Sequence, residues 1–405
     1  MKQERRPGPA GHGRRLLEIG KDILIVFLVL VNVTLAIMCL PTKTLTQTKW
    51  LASALRPFAG LFGLNEAELT YTAPATGSAF IGAAQPIAVT LSTEAGRQSA
   101  QYDFAALDTL YGQYGGLLAQ ALESAETPQA CTESAFYAAL RGPGAAFCFP
   151  GTISPAVLGA WLNVRAPEGA DAQWYLLALN GETVELYLLG GSCYRAQTAL
   201  SAETLAAELS AAVPDGSFFA FESDAAPYSA LDPLSLISAS SAAVCTGLGT
   251  NPCDARFISA LATQIGINPY GDARFVGNDG TTSFTETGLH LRVSAQGRID
   301  LQILQSDDRF QSASADALGR IEAARSLSRL TGDSYGEARV YLQSYSEDGQ
   351  SAVCTFGYYL SGIEIAPRGG GIEIRFDGTQ ITRASVLYRS YTATSTPAAL
   401  LPAAQ

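Results

Sequence analysis

Lysine and histidine are scarce in this chain. All four lysines lie in the first 49 residues, and the two histidines are His12 and His290. Residues 51–405 carry 18 arginines and 34 acidic side chains. Beyond residue 49 the sequence therefore excludes a phosphate-loop lysine, a Schiff-base lysine, a Ser-x-x-Lys nucleophile pair and a histidine-rich metal site. The acidic body also argues against nucleic acid as a partner, because such binding needs a basic face.

A basic segment followed by an apolar run predicts a membrane anchor. Six basic side chains lie in residues 1–22, namely Lys2, Arg5, Arg6, Arg14, Arg15 and Lys21, against three acidic ones. Residues 23–40 then carry no charge, and 18 residues of helix span about 27 Å, close to the thickness of a hydrocarbon core. Since basic flanks stay in the cytoplasm, we expect a single-pass protein of the cell membrane with its body outside the cytoplasm.

Two alternatives to a retained anchor fit the sequence less well. A cleaved signal peptide has a shorter apolar run, of up to about 15 residues, and a small-x-small cleavage site, which is missing here. A lipoprotein signal at Cys39 needs a small residue before the cysteine, and Met38 stands there instead.

Two polar side chains, Asn32 and Thr34, lie within the apolar run. In a membrane such groups tend to face another helix, so both are candidate helix contacts. The alternative is that Thr34 bonds to its own helix and that the span tolerates Asn32 without a partner.

Alternating and helical patterns outside the anchor predict an α+β fold. They predict one helix, or two short ones, over 104–126 and a hairpin of 174–179 with 183–189 at Asn180-Gly181. A second hairpin is expected over 289–304, and an amphipathic helix over 315–330 is followed by strands that form a meander. We therefore expect an extracytoplasmic, multi-domain body of antiparallel sheets packed with helices.

Changes in composition give the predicted domain boundaries. The domains are a basic N-terminus (1–22), the anchor (23–40), a juxtamembrane linker or helix (41–65), an α+β domain (66–165), a second α+β domain (166–245), a C-terminal α+β region of hairpin, helix and meander (246–391), and a disordered tail (392–405).

Motifs for catalysis or cofactor binding are missing from the sequence. There is no Gly-x-Ser-x-Gly, His-Glu-x-x-His or Cys-x-x-Cys pattern, and neither a cofactor nor a metal is expected. The glycines at 369–371 and the sequence Asn278-Asp279-Gly280 are typical of turns, and His290 falls on the polar side of its predicted strand. Paired carboxylates for glycan hydrolysis stay open, because the 34 acidic residues allow many pairs.

Six cysteines follow the anchor, and an even number in an exported chain permits disulfides. They are Cys131, Cys148, Cys193, Cys245, Cys253 and Cys354. The pairs 131–148 and 245–253 are nearest along the chain, but six cysteines allow about 15 connectivities, so the sequence selects none. The alternative is that they are small buried apolar side chains.

Three parts of the chain resemble the YycH/YycI family. The first is 268–275 (NPYGDARF) with Asp279-Gly280 and 284–286 (FTE). The second is the 289–304 hairpin with its turn at Gly297, and the third is 355–365 (TFGYYLSGIEI) with 371–378 (GIEIRFDG). The likeness extends over residues 15–395, and the stretches at 161–162 and 233–234 are more similar to YycH than to the shorter YycI.

This resemblance implies a regulator and no catalysis. Members of the family are membrane-anchored proteins of Gram-positive bacteria that associate with the sensor histidine kinase of the YycFG (WalRK) two-component system and with a sister YycH- or YycI-type protein. They adjust kinase output and thereby cell-wall metabolism. The expected partners are thus that kinase, the sister protein and the membrane, with no small-molecule substrate. An anchored carboxylate-dependent glycan hydrolase and a passive envelope scaffold or ligand-binding protein stay open as alternatives.

Overall fold

Two large antiparallel sheets with packed helices make up the described part of the chain, which confirms the predicted α+β class. A computed structural model describes residues 84–238, 248–251, 253–271, 273–286, 288–330, 335–367 and 370–392. The predictions for 1–22, 23–40 and 41–65, and for the tail from residue 393 onward, lie outside the described residues.

The first sheet has seven strands in the order β2-β1-β4-β5-β6-β7-β3. They are β1 (Ala88–Thr93), β2 (Gly96–Ala100), β3 (Gln129–Cys131), β4 (Gly144–Ile153), β5 (Ala172–Asn180), β6 (Thr183–Gly190) and β7 (Cys193–Ser201). The predicted hairpin of β5 and β6 is confirmed. Its loop uses Gly181 at a φ of +64°, a left-handed conformation that glycine adopts without a steric penalty.

Helices cover both faces of the first sheet. They are α1 (Phe104–Ser124), α2 (Glu133–Arg141), α3 (Pro155–Trp161) and α4 (Ala202–Leu209). Helix α1 is a single helix that continues through Gly112 and Gly115. Helices α1, α3 and α4 pack against the face that carries Phe147. Helix α2 packs on the opposite face, which carries Cys148, together with the short strand pair β8 (Phe218–Phe219) and β9 (Leu236–Ile237).

The second sheet has nine strands, ordered β11-β12-β13-β14-β19-β18-β16-β15 with β17 also paired to β16. They are β11 (Arg274–Val276), β12 (Thr282–Glu286), β13 (Leu289–Val293), β14 (Arg298–Ile303), β15 (Arg339–Asp348), β16 (Ser351–Leu360), β17 (Ile363–Ile365), β18 (Ile372–Asp377) and β19 (Gln380–Leu387). Two further strands, β10 (Leu248–Thr250) and β20 (Ser390–Thr392), pair with each other. The predicted 289–304 hairpin is β13 with β14.

Two helices cover one face of the second sheet, and the opposite face of its central strands is polar. Helices α5 (Ala255–Gln264) and α6 (Ala317–Leu330) share the core with alternate side chains of the central strands, such as Leu291 and Leu301. The intervening residues Arg292 and Asp300 point to the other face. One covered and one solvated face is typical of an antiparallel sheet, and it explains the strict alternation in the sequence.

One apolar core continues through both sheets and their helices. Hydrogen bonds also link the helices and strands of the first sheet to those of the second. Trp161 of α3 donates a hydrogen bond to Glu322 of α6 at 2.8 Å. Arg339 of β15 binds both carboxylate oxygens of Asp108 on α1, at 2.6 and 2.7 Å. All the described residues fall within one compact unit.

This pairing differs from the predicted division between the domains 66–165 and 166–245. Strands from both sides of that boundary belong to one sheet, because β4 pairs directly with β5. The residues between α3 and β5 include Pro167 and Gly169, which are typical of a linker, but here they form a loop within one sheet.

Candidate docking surface

An exposed apolar cluster lies where the chain leaves α5 and enters β11. Tyr270 is 85% exposed, Phe275 69% and Val276 54%. They are three of the five most exposed large apolar side chains in the described residues, and the other two are Val213 and Leu304. We call Tyr270, Phe275 and Val276 the edge surface. Single exposed apolar side chains are common on protein surfaces, whereas three within seven residues mark a candidate contact site.

The loop before β11 is held in place by hydrogen bonds. The carboxylate of Glu286, at the end of β12, accepts the backbone N–H of Asn268 at 2.8 Å. The side-chain oxygen of Asn268 accepts the N–H of Tyr270 at 3.0 Å, and the N–H of Arg274 reaches the carbonyl of Gly271 at 3.3 Å. Tyr270 is therefore presented by a bonded loop although its side chain is in solvent.

Strand β11 forms one edge of the second sheet. Within the described residues it pairs with β12 and with no other strand. All three of its residues are exposed. An edge strand leaves backbone N–H and C=O groups on its outer side, and these groups are available to a partner chain.

The strand register places Phe275 on the open, polar face of the second sheet. Phe275 lies opposite Ser283, which lies opposite Arg292, which in turn lies opposite Asp300. Directly opposed residues share a face, so these side chains form one row across four strands. Val276 lies opposite Thr282, at the margin of the face that α5 and α6 cover.

Arginines are frequent on this open face, although the chain as a whole is acidic. Arg375 is 52% exposed and pairs with Glu373 at 2.8 Å, and Arg383 is 46% exposed and lies 3.5 Å from Asp300. Half-buried His290 lies on the same face, opposite Gln302, as its place in the alternating pattern predicted.

A shallow groove of about 410 Å³ runs beside the edge surface, between α5 and Tyr270. The α5 side chains that line it are Ala255, Arg256, Ser259, Ala260 and Thr263. They recur every three or four residues, so they form one stripe on the outer side of the helix. Because the stripe consists mostly of small side chains and Tyr270 forms a wall, the groove can accept an apolar or aromatic side chain.

A second cleft, of about 240 Å³, brings together two carboxylates, those of Glu286 and Asp307, beside Arg309. Arg309 donates to both oxygens of Asp307, at 2.5 to 3.0 Å, and these hydrogen bonds lower the pKa of Asp307. A general acid in glycan hydrolysis needs a raised pKa, which this environment does not give Asp307.

The turn at 278–280 is a hairpin turn, as predicted. The N–H of Gly280 bonds to the carbonyl of Gly277, and Gly280 has a φ of +76°. Hydrogen bonds from the backbone and hydroxyl of Thr281 lower the pKa of Asp279. In the described part of the chain no group of three or more His, Cys, Asp or Glu side chains is placed to hold a metal ion.

The residues predicted to anchor and orient the chain are Asn32, Thr34, Arg5, Arg6, Arg14, Arg15 and Lys21, and they lie outside the described residues. Among the helices of the described ranges, none combines the length and apolar character needed to cross a membrane.

The sequence patterns do not predict the edge surface as a site, although residues 268–275 carry part of the family resemblance. An exposed aromatic and a core aromatic look alike in a sequence. The available signal was the turn-rich surrounding of Tyr270, with proline before it and glycine after it. Comparison with protein-family models, curated proteins and solved structures finds no match.

Proposed function

We propose that this chain is a non-catalytic regulatory protein of the cell membrane. A helix over 23–40 anchors it, and its body, outside the cytoplasm, contacts a sensor histidine kinase of a two-component system that controls cell-wall metabolism. The edge surface is the contact site on the body. One observation supports this assignment above all, namely the grouping of Tyr270, Phe275 and Val276 at a sheet edge.

The chemistry of the edge surface suits protein–protein contact. Aromatic side chains and arginine contribute most of the binding energy in many interfaces. Here Arg256 lines the groove together with Tyr270, and exposed Arg274 precedes Phe275 on β11. A partner that covers Phe275 also reaches the outer backbone groups of β11, so side-chain and main-chain recognition can act together.

The anchor supplies the second contact of the proposal. Coupling across a membrane needs helix–helix packing with two states, and a polar side chain such as Asn32 lends specificity to that packing. The proposal therefore has two separable parts, one at Asn32 and one at the edge surface.

Affinity purification of the full chain in detergent tests the proposal. Mass spectrometry is expected to find a histidine kinase with the wild-type chain, and a tenfold or greater loss with the double variant Tyr270→Ser/Phe275→Ser. Val213→Ser is the matched control, because Val213 is as exposed as Phe275, at 69%, but belongs to neither the groove nor β11.

Asn32→Leu tests the anchor contact and is expected to weaken the same association. An unchanged yield would remove the role assigned to Asn32. If no kinase co-purifies with the wild-type chain, the kinase proposal fails and the passive scaffold or ligand-binding protein becomes the better description.

The glycan hydrolase has one observation in its favour, since Glu286 and Asp307 line one cleft. Both carboxylates have structural partners, however. Glu286 accepts the backbone N–H of Asn268, and Asp307 accepts a hydrogen bond from Arg309. Release of soluble fragments from purified peptidoglycan by the wild-type chain, abolished in Asp307→Asn, would favour this alternative over the regulator.

A further inference from the structure

Two cysteines lie directly opposite each other on the last two strands of the first sheet. In the antiparallel pair β3–β7 the register sets Cys131 against Cys193. Opposed residues of antiparallel strands have Cα atoms about 4.5–5.5 Å apart, and disulfides span Cα distances of about 4.4–6.8 Å. Because both side chains also lie on the same face, the backbone already meets the distance requirement for a bond between them.

Both thiols lie at the margin of the core under α2. Cys193 is 4% exposed, and Cys131 is half-buried and packs against the same cluster. Burial, followed by a hydrogen bond with Cys131, raises the pKa of Cys193 to about 12. The two thiols are thus already in contact while reduced, and Cys131 is the one that an external reagent reaches first.

Cys148 and Cys354 cannot substitute in this pair. Cys148 lies in the same row of the sheet, but Trp174 and Leu189 stand between it and Cys193. Three strand spacings of about 4.8 Å place it roughly 14 Å away. Cys354 belongs to β16 of the second sheet. The sequence neighbours 131 and 148 are therefore not spatial neighbours.

We propose that Cys131 and Cys193 form a disulfide by exchange with an oxidant that itself carries a disulfide. The Cys131 thiolate attacks one sulfur of the oxidant and releases the first oxidant thiol. The Cys193 thiolate then attacks the Cys131 sulfur of the mixed disulfide and releases the second. The chain loses two protons and two electrons, which the oxidant gains as two thiols.

A disulfide between Cys131 and Cys193 joins the short edge strand β3 covalently to β7. Strand β3 has three residues, and two of them are exposed. Thr132, which follows Cys131, caps the N-terminus of α2 by accepting the N–H of Ala135. A bond at Cys131 thus fixes both the short edge strand and the start of the helix that covers Cys148 and Trp174.

Oxidised glutathione, a small disulfide oxidant, is the reagent for the test. The purified full chain is oxidised, its free thiols are blocked with N-ethylmaleimide, and it is digested with trypsin without reductant. Peptides 98–141 and 166–195 each hold one cysteine, Cys131 and Cys193, and Cys148 falls in a third peptide. We expect these two peptides to be linked, and dithiothreitol to lower Tm by roughly 5 °C.

Two variants distinguish the Cys131–Cys193 disulfide from nonspecific oxidation of thiols. Cys131→Ser is expected to abolish both the link and the effect of dithiothreitol on Tm. Cys253→Ser, the matched half-buried control, is expected to change neither. Recovery of Cys131 and Cys193 blocked separately, or each joined to glutathione, would overturn the proposal. The readout requires no partner, so its outcome is independent of the proposed docking function.

Discussion

Arg320 shows how a single charged side chain holds a helix on a sheet. It is 2% exposed. From α6 it donates hydrogen bonds to the carbonyl of Gly378 at 2.9 Å, the hydroxyl of Tyr345 at 3.1 Å and the carbonyl of Gln350 at 3.2 Å. Gly378 and Gln350 belong to two different hairpin turns, β18–β19 and β15–β16. One guanidinium therefore joins α6 to both turns, and Glu347 balances its charge at 3.2 Å.

Replacing Arg320 by methionine is expected to lower the free energy of unfolding by about 2–4 kcal/mol, because buried acceptors lose their donor. Urea denaturation followed by circular dichroism measures the loss. Arg375→Met is the control, since Arg375 is 52% exposed and its ion pair with Glu373 contributes no more than about 1 kcal/mol. Equal effects of the two substitutions would contradict the role of Arg320.

Elements with one clear periodicity were predictable from the sequence. The hairpins β5–β6 and β13–β14 have strict alternation or an Asn-Gly turn, and α5 and α6 have apolar side chains at helical spacing. Strand β7 was missed for a physical reason. Its buried residues are Cys193, Ala196 and Leu200, whose spacings of three and four mimic a helix. Cys193 and Ala196 lie on opposite faces of a sheet that is covered on both sides, and the irregularity in the β6–β7 register falls between Gln197 and Ser201. Helix α3 has only seven residues, too few for a periodic signal.

Two glycines in regular elements are expected to respond in opposite ways to alanine. A Cβ at Gly112 in α1 would have no atom within 4 Å, so Gly112→Ala is expected to raise the free energy of unfolding by about 0.5–1 kcal/mol. A Cβ at Gly151 in β4 would overlap the backbone of Gln343 in β15, so Gly151→Ala is expected to lower it by about 1–3 kcal/mol. Urea titration of both variants measures the two shifts, and a stable Gly151→Ala chain would show that the two strands can move apart.

At the scale of the whole molecule, the pairing of distant strands could not be predicted. Strand β14 pairs with β19, so Asp300 lies opposite Ser385, and no local pattern contains that information. The same holds for the candidate docking surface. The residue types of Tyr270 and Phe275 suit a core equally well, and only the tertiary fold leaves them at an edge.

Because one core continues through both sheets, the described unit is expected to unfold in a single cooperative transition. Hydrogen exchange measured by mass spectrometry along a urea titration tests this. Peptides from β5 and β18, which belong to different sheets, are expected to lose protection at the same urea concentration. Earlier loss from one sheet would mean that the contacts of Trp161 with Glu322 and of Arg339 with Asp108 are too weak to couple the two.

The position of β1 determines how the body would respond to mechanical force. It is the first strand of the described chain and is hydrogen-bonded on both sides, with five register pairs to β2 and five to β4. Tension that is applied to the N-terminal end of β1 and directed along the strand therefore loads two ladders in parallel, so their bonds must shear together rather than open one by one. A strand with a ladder on each side resists such a pull more than an edge strand, which has a ladder on one side only.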